Sequence, residues 1–190
     1  MRDVTSIVRV RDSDEAAASI VLAFAADPFV RWLFPCPASF LRFFSRITGL
    51  HGQATAAGGG AWASDDGRGA AFWYPPGVSP PAEALGAILT EAGAVDQVTA
   101  VFAEVAAYTP RGACWYLRQI GVDPALQGQG HGGALMEAGL AEIDVRGEAA
   151  YLEATSEAGR RFYERYDFAL VGTAQANGSP PLWVMVRAAH

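Results

Sequence analysis

Lysine is missing altogether: each of the 14 cationic side chains among the 190 residues is an arginine. That removes Schiff-base chemistry and the lysine of a phosphate-loop NTPase. Cysteine is scarce. Cys36 and Cys114 are too few for a disulfide framework, and the first residues show no charged segment leading into an apolar one, so the cytoplasm is the expected compartment. Long hydrophobic runs are absent too. The longest compact apolar stretch, Ala16 to Ala26, falls well short of the 18 or so residues that a membrane span needs, so no membrane association is expected. Basic runs are also lacking, and a net charge of -6 disfavours non-specific attraction to nucleic acid or to anionic lipid. Only three histidines occur. His51 and His190 stand far apart without cysteine or carboxylate companions at ligand spacing, so no metal site is expected.

What is present is apolar mass. With 51% hydrophobic and 18% charged residues, the chain has enough apolar side chains to offset the entropy of ordering. Its length suits one domain over residues 1–190, and no linker divides it.

Ile7 to Arg11 alternates as a short strand. Asp12, Ser13 and Asp14 then offer cap chemistry for a helix with Ala17, Ile20, Val21 and Phe24 on one face, expected to end near Asp27-Pro28. After Pro35 and Pro37, the spacing of Phe40, Leu41, Phe44 and Ile47 predicts a second helix up to Gly49. Asp66-Gly67 between Ala61–Ser64 and Ala70–Tyr74 predicts a hairpin, and Glu83 to Ala107 reads as one or two helices broken around Gly93. A strand at Cys114–Val122, a glycine loop, a helix to about Val145 and a strand at Ala149–Ala154 form a parallel crossover unit. A short helix at Glu157–Arg165 and strands at Phe168–Thr173 and Leu182–Arg187 complete a mixed α/β layer structure. The strand carrying Trp183, read as exposed, would suit a dimer; a monomer is the alternative.

The loop Gln127-Gly128-Gln129-Gly130-His131-Gly132-Gly133 opens the crossover helix. Such a loop exposes backbone N–H groups, and a helix N-terminus adds about half a positive charge, so a pyrophosphate can sit there without lysine. Gly128, Gly130 and Gly133 also satisfy G-x-G-x-x-G, with Glu153 twenty residues past Gly133, as in a dinucleotide-binding fold. Against that reading, Asp123 to Gln127 separate strand from glycine, and too little chain follows for the remaining units of that fold. A third reading is a glycine-rich turn without ligand.

The residues from Gln127 to Gly132 resemble the acetyl-coenzyme A loop of the GNAT superfamily, [QR]-x-x-G-x-[GA]. Tyr116 to Pro124 resembles the strand and turn before it, and Tyr151-Leu152-Glu153 with Phe162-Tyr163-Glu164-Arg165 resembles the following strand and tyrosine-bearing helix. The spacing matches from Trp115 to Phe168. Weaker likeness through Ala23-Phe24, Asp27-Pro28 and Ala71-Phe72-Trp73 is closest in style to puromycin-type acetyltransferases. Gly159 replaces a coenzyme-holding Asn of many relatives, and Asp167 replaces a Gly, which implies an altered turn after Tyr166.

The resemblance implies a largely antiparallel sheet with a central parallel strand-helix-strand unit, helices on both faces, and acetyl-coenzyme A as co-substrate. It implies direct attack by a primary amine of a small molecule, with no acyl-enzyme. Ile120, Gly121, Val122, Gln127 to Gly133 and Ser156 are the expected coenzyme residues; Ser156 lacks the G-x-S-x-G context of a serine hydrolase. Tyr163 matches the family's proton donor, a phenol near pKa ~10 that can protonate a thiolate from a thiol of about 8.5. Glu153 is the candidate base, although it is equally able to pair with an Arg. His131, at a variable position of the motif, reads as a surface imidazole. Phe29, Trp32 and Phe34 read as core or as a wall of the acceptor pocket. A non-catalytic acyl-coenzyme A sensor is the competing function.

Overall fold

The computed structural model describes residues 6–189. Seven strands form one sheet in the order β1-β2-β3-β4-β5-β7-β6: β1 (Ile7–Arg9), β2 (Ala61–Ser64), β3 (Gly69–Tyr74), β4 (Cys114–Val122), β5 (Ala149–Ala154), β6 (Ala169–Ala174) and β7 (Leu182–Arg187). Every neighbouring pair is antiparallel except β4 and β5. A sheet with a single parallel pair removes the dinucleotide-binding reading, which needs a doubly wound parallel sheet. The final strand β7 lies between β5 and β6, and Trp183 is only partly exposed and packs on the main core. It is therefore no free edge, and Trp183 is less exposed than the sequence suggests.

Alternation along β3 divides the core between two faces. Ala70 and Phe72 pack with Ala16, Ala17 and Ile20 of helix α1 (Asp14–Ala23), whereas Ala71 and Trp73 pack with Leu135, Met136 and Leu140 of helix α7 (His131–Arg146). Gly121 of β4 permits the close approach of α1, because a Cβ there would lie 2.7 Å from the Ala23 Cβ.

Two helix boundaries differ from the sequence reading. Asp27-Pro28 starts an element rather than ending one: α1 stops at Ala23, and Asp27 caps helix α2 (Pro28–Leu33) by accepting the Val30 N–H at 2.9 Å. Asp-Pro is a start signal as well as a stop signal, since proline at the first helical position forfeits no bond. The second helix runs past Gly49. A short turn α3 (Pro37–Ser39) and a π-helical turn at Phe40–Phe44 lead into helix α4 (Ser45–Ala57). Here tertiary packing overrides glycine's low helix propensity: Ile47, Thr48, His51 and Thr55 are all buried. Helices α5 (Ala82–Ala92) and α6 (Val95–Ala106) break at Gly93, and helix α8 (Glu157–Glu164) follows β5. Asp167 adopts φ 63, so the turn after Tyr166 keeps the left-handed conformation a glycine favours instead of the altered geometry expected.

Candidate active site

The parallel pair is short. Residues pair from Cys114↔Ala149 to Leu117↔Leu152 and no further, while β4 continues along β3 to Val122 and β5 continues along β7 to Ala154. From Arg118 and Glu153 onward the two strands diverge, which opens the middle of the sheet. A bulge accompanies the divergence: Phe72 faces Gln119 and Trp73 faces Leu117, leaving Arg118 as the extra residue on β4. Bulges re-aim side chains. Both Arg118 and its neighbour Gln119 reach α4, one bonding His51 and the other Thr48.

Beyond the end of β4 comes the glycine loop. Asp123 caps the turn Pro124–Leu126 and is held by Arg68 at 2.9 Å, and the Gln127 side chain returns to donate to the Val122 carbonyl at 3.2 Å. Gly128 (φ 75) and Gly130 (φ 101) are left-handed, with open space where a Cβ would stand. Their need is for backbone conformation, not for packing room. Gly130 is the N-cap of α7 and, having no side chain, supplies no side-chain cap to the helix. His131 and Gly132 form that first turn; a Cβ on Gly132 would make ordinary contact with Phe162 at 3.8 Å, and one on Gly133 would crowd the Tyr166 hydroxyl at 2.9 Å.

Above the opening is a cavity of about 430 Å³ walled by aromatic and branched side chains, among them Phe29, Phe34, Phe102 and Leu85. One polar chain crosses its floor. The Arg118 Nε donates to His51 Nε2 at 3.2 Å, and Nη1 donates to the Tyr116 hydroxyl at 3.1 Å; that hydroxyl donates to Glu153 Oε2 at 2.6 Å. Because His51 Nε2 accepts, its proton sits on Nδ1 and is donated to the Tyr74 hydroxyl at 2.8 Å. Burial, reinforced by the Arg118 charge, holds the His51 pKa well below the usual imidazole value. The phenol pKa values of Tyr74, Tyr116 and Tyr151 are all raised, chiefly by burial.

Tyr163 of α8 faces the cavity with its ring against Phe162 and Phe168, and its hydroxyl has no hydrogen-bond partner among the described residues. Burial raises its pKa above the ordinary phenol value, and the Asp27 and Glu153 carboxylates raise it further. The sequence reading assumed an unperturbed phenol; the site makes it a firmer holder of its proton. Burial also raises the Glu153 pKa, against the opposing pull of Arg118 and Tyr116. So Glu153 does not pair with an arginine directly, because Tyr116 stands between them. Asp27 is a second carboxyl raised by burial, restrained by the Thr155 hydroxyl it accepts and by the Val30 N–H.

Glu153, Tyr163, Ile120, Phe29 and Phe34 thus meet at one cavity. Trp32 is not among its walls but packs behind Phe29 at 5.6 Å between ring centroids. Ser156 has a local task, its Oγ accepting the Gly159 N–H at 3.1 Å as the cap of α8. Sequence reasoning missed His51, Tyr74, Tyr116, Arg118 and Asp27. A signal existed for one of them: Arg118-Gln119 interrupts an otherwise apolar strand. Nothing linked His51 to it across 67 positions. Among the described residues no group of three or more potential metal ligands occurs, and His190 lies outside them.

Residues 89–170 match the family model described as an acetyltransferase (GNAT) domain. The whole chain is similar to a crystal structure described as histone acetyltransferase HPA2 and related acetyltransferase from Corynebacterium glutamicum, at 25% identity and TM-score 0.70, covering 98% of this chain and 97% of that one. It shares its fold with arylalkylamine N-acetyltransferase 2 from Aedes aegypti (14% identity, TM-score 0.68, 98% and 99% covered) and with polyamine N-acetyltransferase from Drosophila melanogaster (16%, 0.58, 97% and 100%). The fold is that of the GNAT acetyltransferases, with one parallel pair at its centre.

Proposed function

We propose that this protein is an N-acetyltransferase that moves an acetyl group from acetyl-coenzyme A to the primary amine of a small molecule. The observation that carries the reading is the cavity at the point where β4 and β5 part, lined by both Tyr163 and Glu153, with the start of α7 next to α8, where a Cβ on Gly132 would reach Phe162 at 3.8 Å. The fold neighbours described as polyamine, agmatine and arylalkylamine acetyltransferases support an amine as acceptor.

The residues fit the co-substrate. Left-handed Gly128 and Gly130 suit a loop whose backbone N–H groups take a phosphate, and the α7 N-terminus favours anionic phosphates there, with Gln127, Gln129, His131, Gly132 and Gly133 the further residues of that site. Ile120 to Val122 border the opening between the strands, where a backbone N–H can donate to the carbonyl oxygen as it gains charge. When bound, acetyl-coenzyme A supplies the thioester. Glu153 takes a proton from the incoming ammonium; its raised pKa makes it a stronger base than an exposed carboxylate. The Tyr163 hydroxyl, engaged by no protein group, gives its proton to the departing sulfur. Its raised pKa makes this transfer uphill in isolation, so it must accompany C–S cleavage.

The sensor alternative predicts an idle acceptor side, yet this one presents a carboxyl and an unbonded phenol in one cavity. The protein is expected to act in the cytoplasm as a monomer or homodimer, without nucleic acid, membrane or metal; its likeness to puromycin-type enzymes is a matter of sequence style. The test is thiol release from acetyl-coenzyme A across a panel of primary amines. Acetylation of at least one amine is expected, whereas coenzyme binding without release on any would establish the sensor. Acetyl-coenzyme A should also raise Tm, and NAD or NADP should not.

A further inference from the structure

Among the described residues Arg118 is the one cation on the cavity wall, and its guanidinium cannot be neutralised. Its placement is over-determined: the β4 bulge aims it, His51 fixes Nε, Tyr116 fixes Nη1, and the Phe102 ring lies under the guanidinium carbon at 5.5 Å. The remaining nitrogen, Nη2, has no hydrogen-bond partner among the described residues and is not among the sealed-off polar atoms. It therefore opens on the cavity. An apolar amine filling that space would expel water and leave a charged donor without an acceptor, at a cost above that of a neutral group.

We propose that Arg118 selects acceptors bearing a carboxylate beside the amine, so that the preferred class is an α- or β-amino acid with an aromatic or branched apolar side chain. The inference rests on the transferase reading and deepens it.

Two observations favour a full carboxylate. The first is spacing: Arg118 and Glu153 are linked through one oxygen, that of Tyr116, by bonds of 3.1 and 2.6 Å. An amine at Glu153 and a carboxylate at Arg118 span the two ends of one amino acid. The second is charge. Glu153 is the carboxylate coupled to Arg118 through Tyr116, and in the reaction it takes the ammonium proton and loses that charge. Asp27 does not replace it, since its carboxyl is turned to Thr155 and the N-terminus of α2. A substrate carboxylate on Nη2 keeps the arginine paired while the proton moves from nitrogen to Glu153. The apolar walls, Phe29, Phe34 and Phe102 among them, would take the side chain.

The experiment compares matched probes on the whole protein. By calorimetry with coenzyme A present, 3-phenylpropanoate should bind about tenfold or more tightly than 3-phenylpropan-1-ol, and phenylalanine should be acetylated with kcat/KM about tenfold or more above 2-phenylethylamine. In Arg118→Gln, shown to be folded by its melting curve, both preferences should vanish. Equal binding of the two probes by the parent protein, or a preference surviving in the folded variant, overturns the inference. Faster turnover of 2-phenylethylamine overturns it and leaves the transferase standing. Carboxylate preference in binding with no amine turned over does the reverse: the anion subsite stands and the transferase falls.

Discussion

The coenzyme side and the acceptor side of this molecule are built by different means. From Val122 to Gly133, the relevant features belong to the backbone: two left-handed glycines, an uncapped helix start, a strand that parts from its neighbour. Across the sheet, the acceptor cavity is built of side chains brought from α2, α4, β3, α5, α6, β4, β5, α8 and β7. A backbone site tolerates exchange of side chains that do not enter its space, while a side-chain site fails with single atoms. The comparison predicts that single-atom changes will act strongly on the acceptor side and that only added bulk will act on the coenzyme side.

The largest effect is expected from removing one oxygen. Tyr163→Phe keeps the ring against Phe162 and Phe168, and since the hydroxyl makes no protein hydrogen bond, Tm should hardly change. Turnover should fall about 10²-fold or more, the scale of a positioned general acid, with coenzyme affinity intact. Glu153→Gln should lower kcat by a similar factor and remove the acid limb of the pH profile, which rises as Glu153 ionises above the ordinary carboxylate range. Full activity of Tyr163→Phe, with chemistry shown to be rate-limiting, would return that residue to packing.

Next in size is bulk on the coenzyme side. Gly130→Val confounds folding with binding, because φ 101 strains any side chain. Gly132 is the cleaner position: its φ is unexceptional, and a Cβ would meet nothing closer than Phe162 at 3.8 Å. Gly132→Val should therefore stay folded and yet weaken acetyl-coenzyme A at least about tenfold by calorimetry, as the branches intrude on the phosphate concavity. Unchanged affinity in the folded variant would remove the loop from the coenzyme site.

The same contrast explains what could be read from the sequence. Backbone devices leave a contiguous record: Asp66-Gly67 marked the hairpin, Gly93 the helix break, and Gln127 to Gly133 the turn into α7. Side-chain sites leave only fragments, such as Glu153 and Tyr163 in their family motifs, with nothing to join them to residues far along the chain. His51 was set aside for want of neighbours in sequence, yet it is bonded to Arg118 and Tyr74 from a different helix. Asp27 was read as a helix stop because Asp-Pro has the same appearance whether it ends one helix or caps the next. Phe29 and Trp32, three residues apart, were grouped by composition, but only Phe29 reaches the cavity. The exit from α8 shows the opposite error, where Asp167 accommodates a backbone geometry that seemed to demand glycine.

The smallest predicted effect tests whether the acceptor side is wired as described. With Nε2 occupied by the Arg118 N–H, His51 cannot accept a proton without breaking that bond and placing two cations together, so its folded pKa lies well below 6.5. In the unfolded chain it titrates near 6.5. As pH falls through that value, the unfolded state binds a proton that the folded state refuses, so stability falls; as pH rises, it recovers. The slope approaches one proton per molecule between 6.5 and the folded pKa. Glu153 and Asp27, both raised by burial, act in the opposite sense, favouring the folded state at acid pH, but from carboxylate values that start lower. Comparing parent with His51→Gln cancels them to first order. Urea midpoints at pH 7.5 and 5.5 should show the parent losing more stability on acidification than the variant, whatever the variant's own starting stability. Equal losses would mean that His51 titrates freely in the folded protein, and the chain from Tyr74 through His51 to Arg118 would lose its central link.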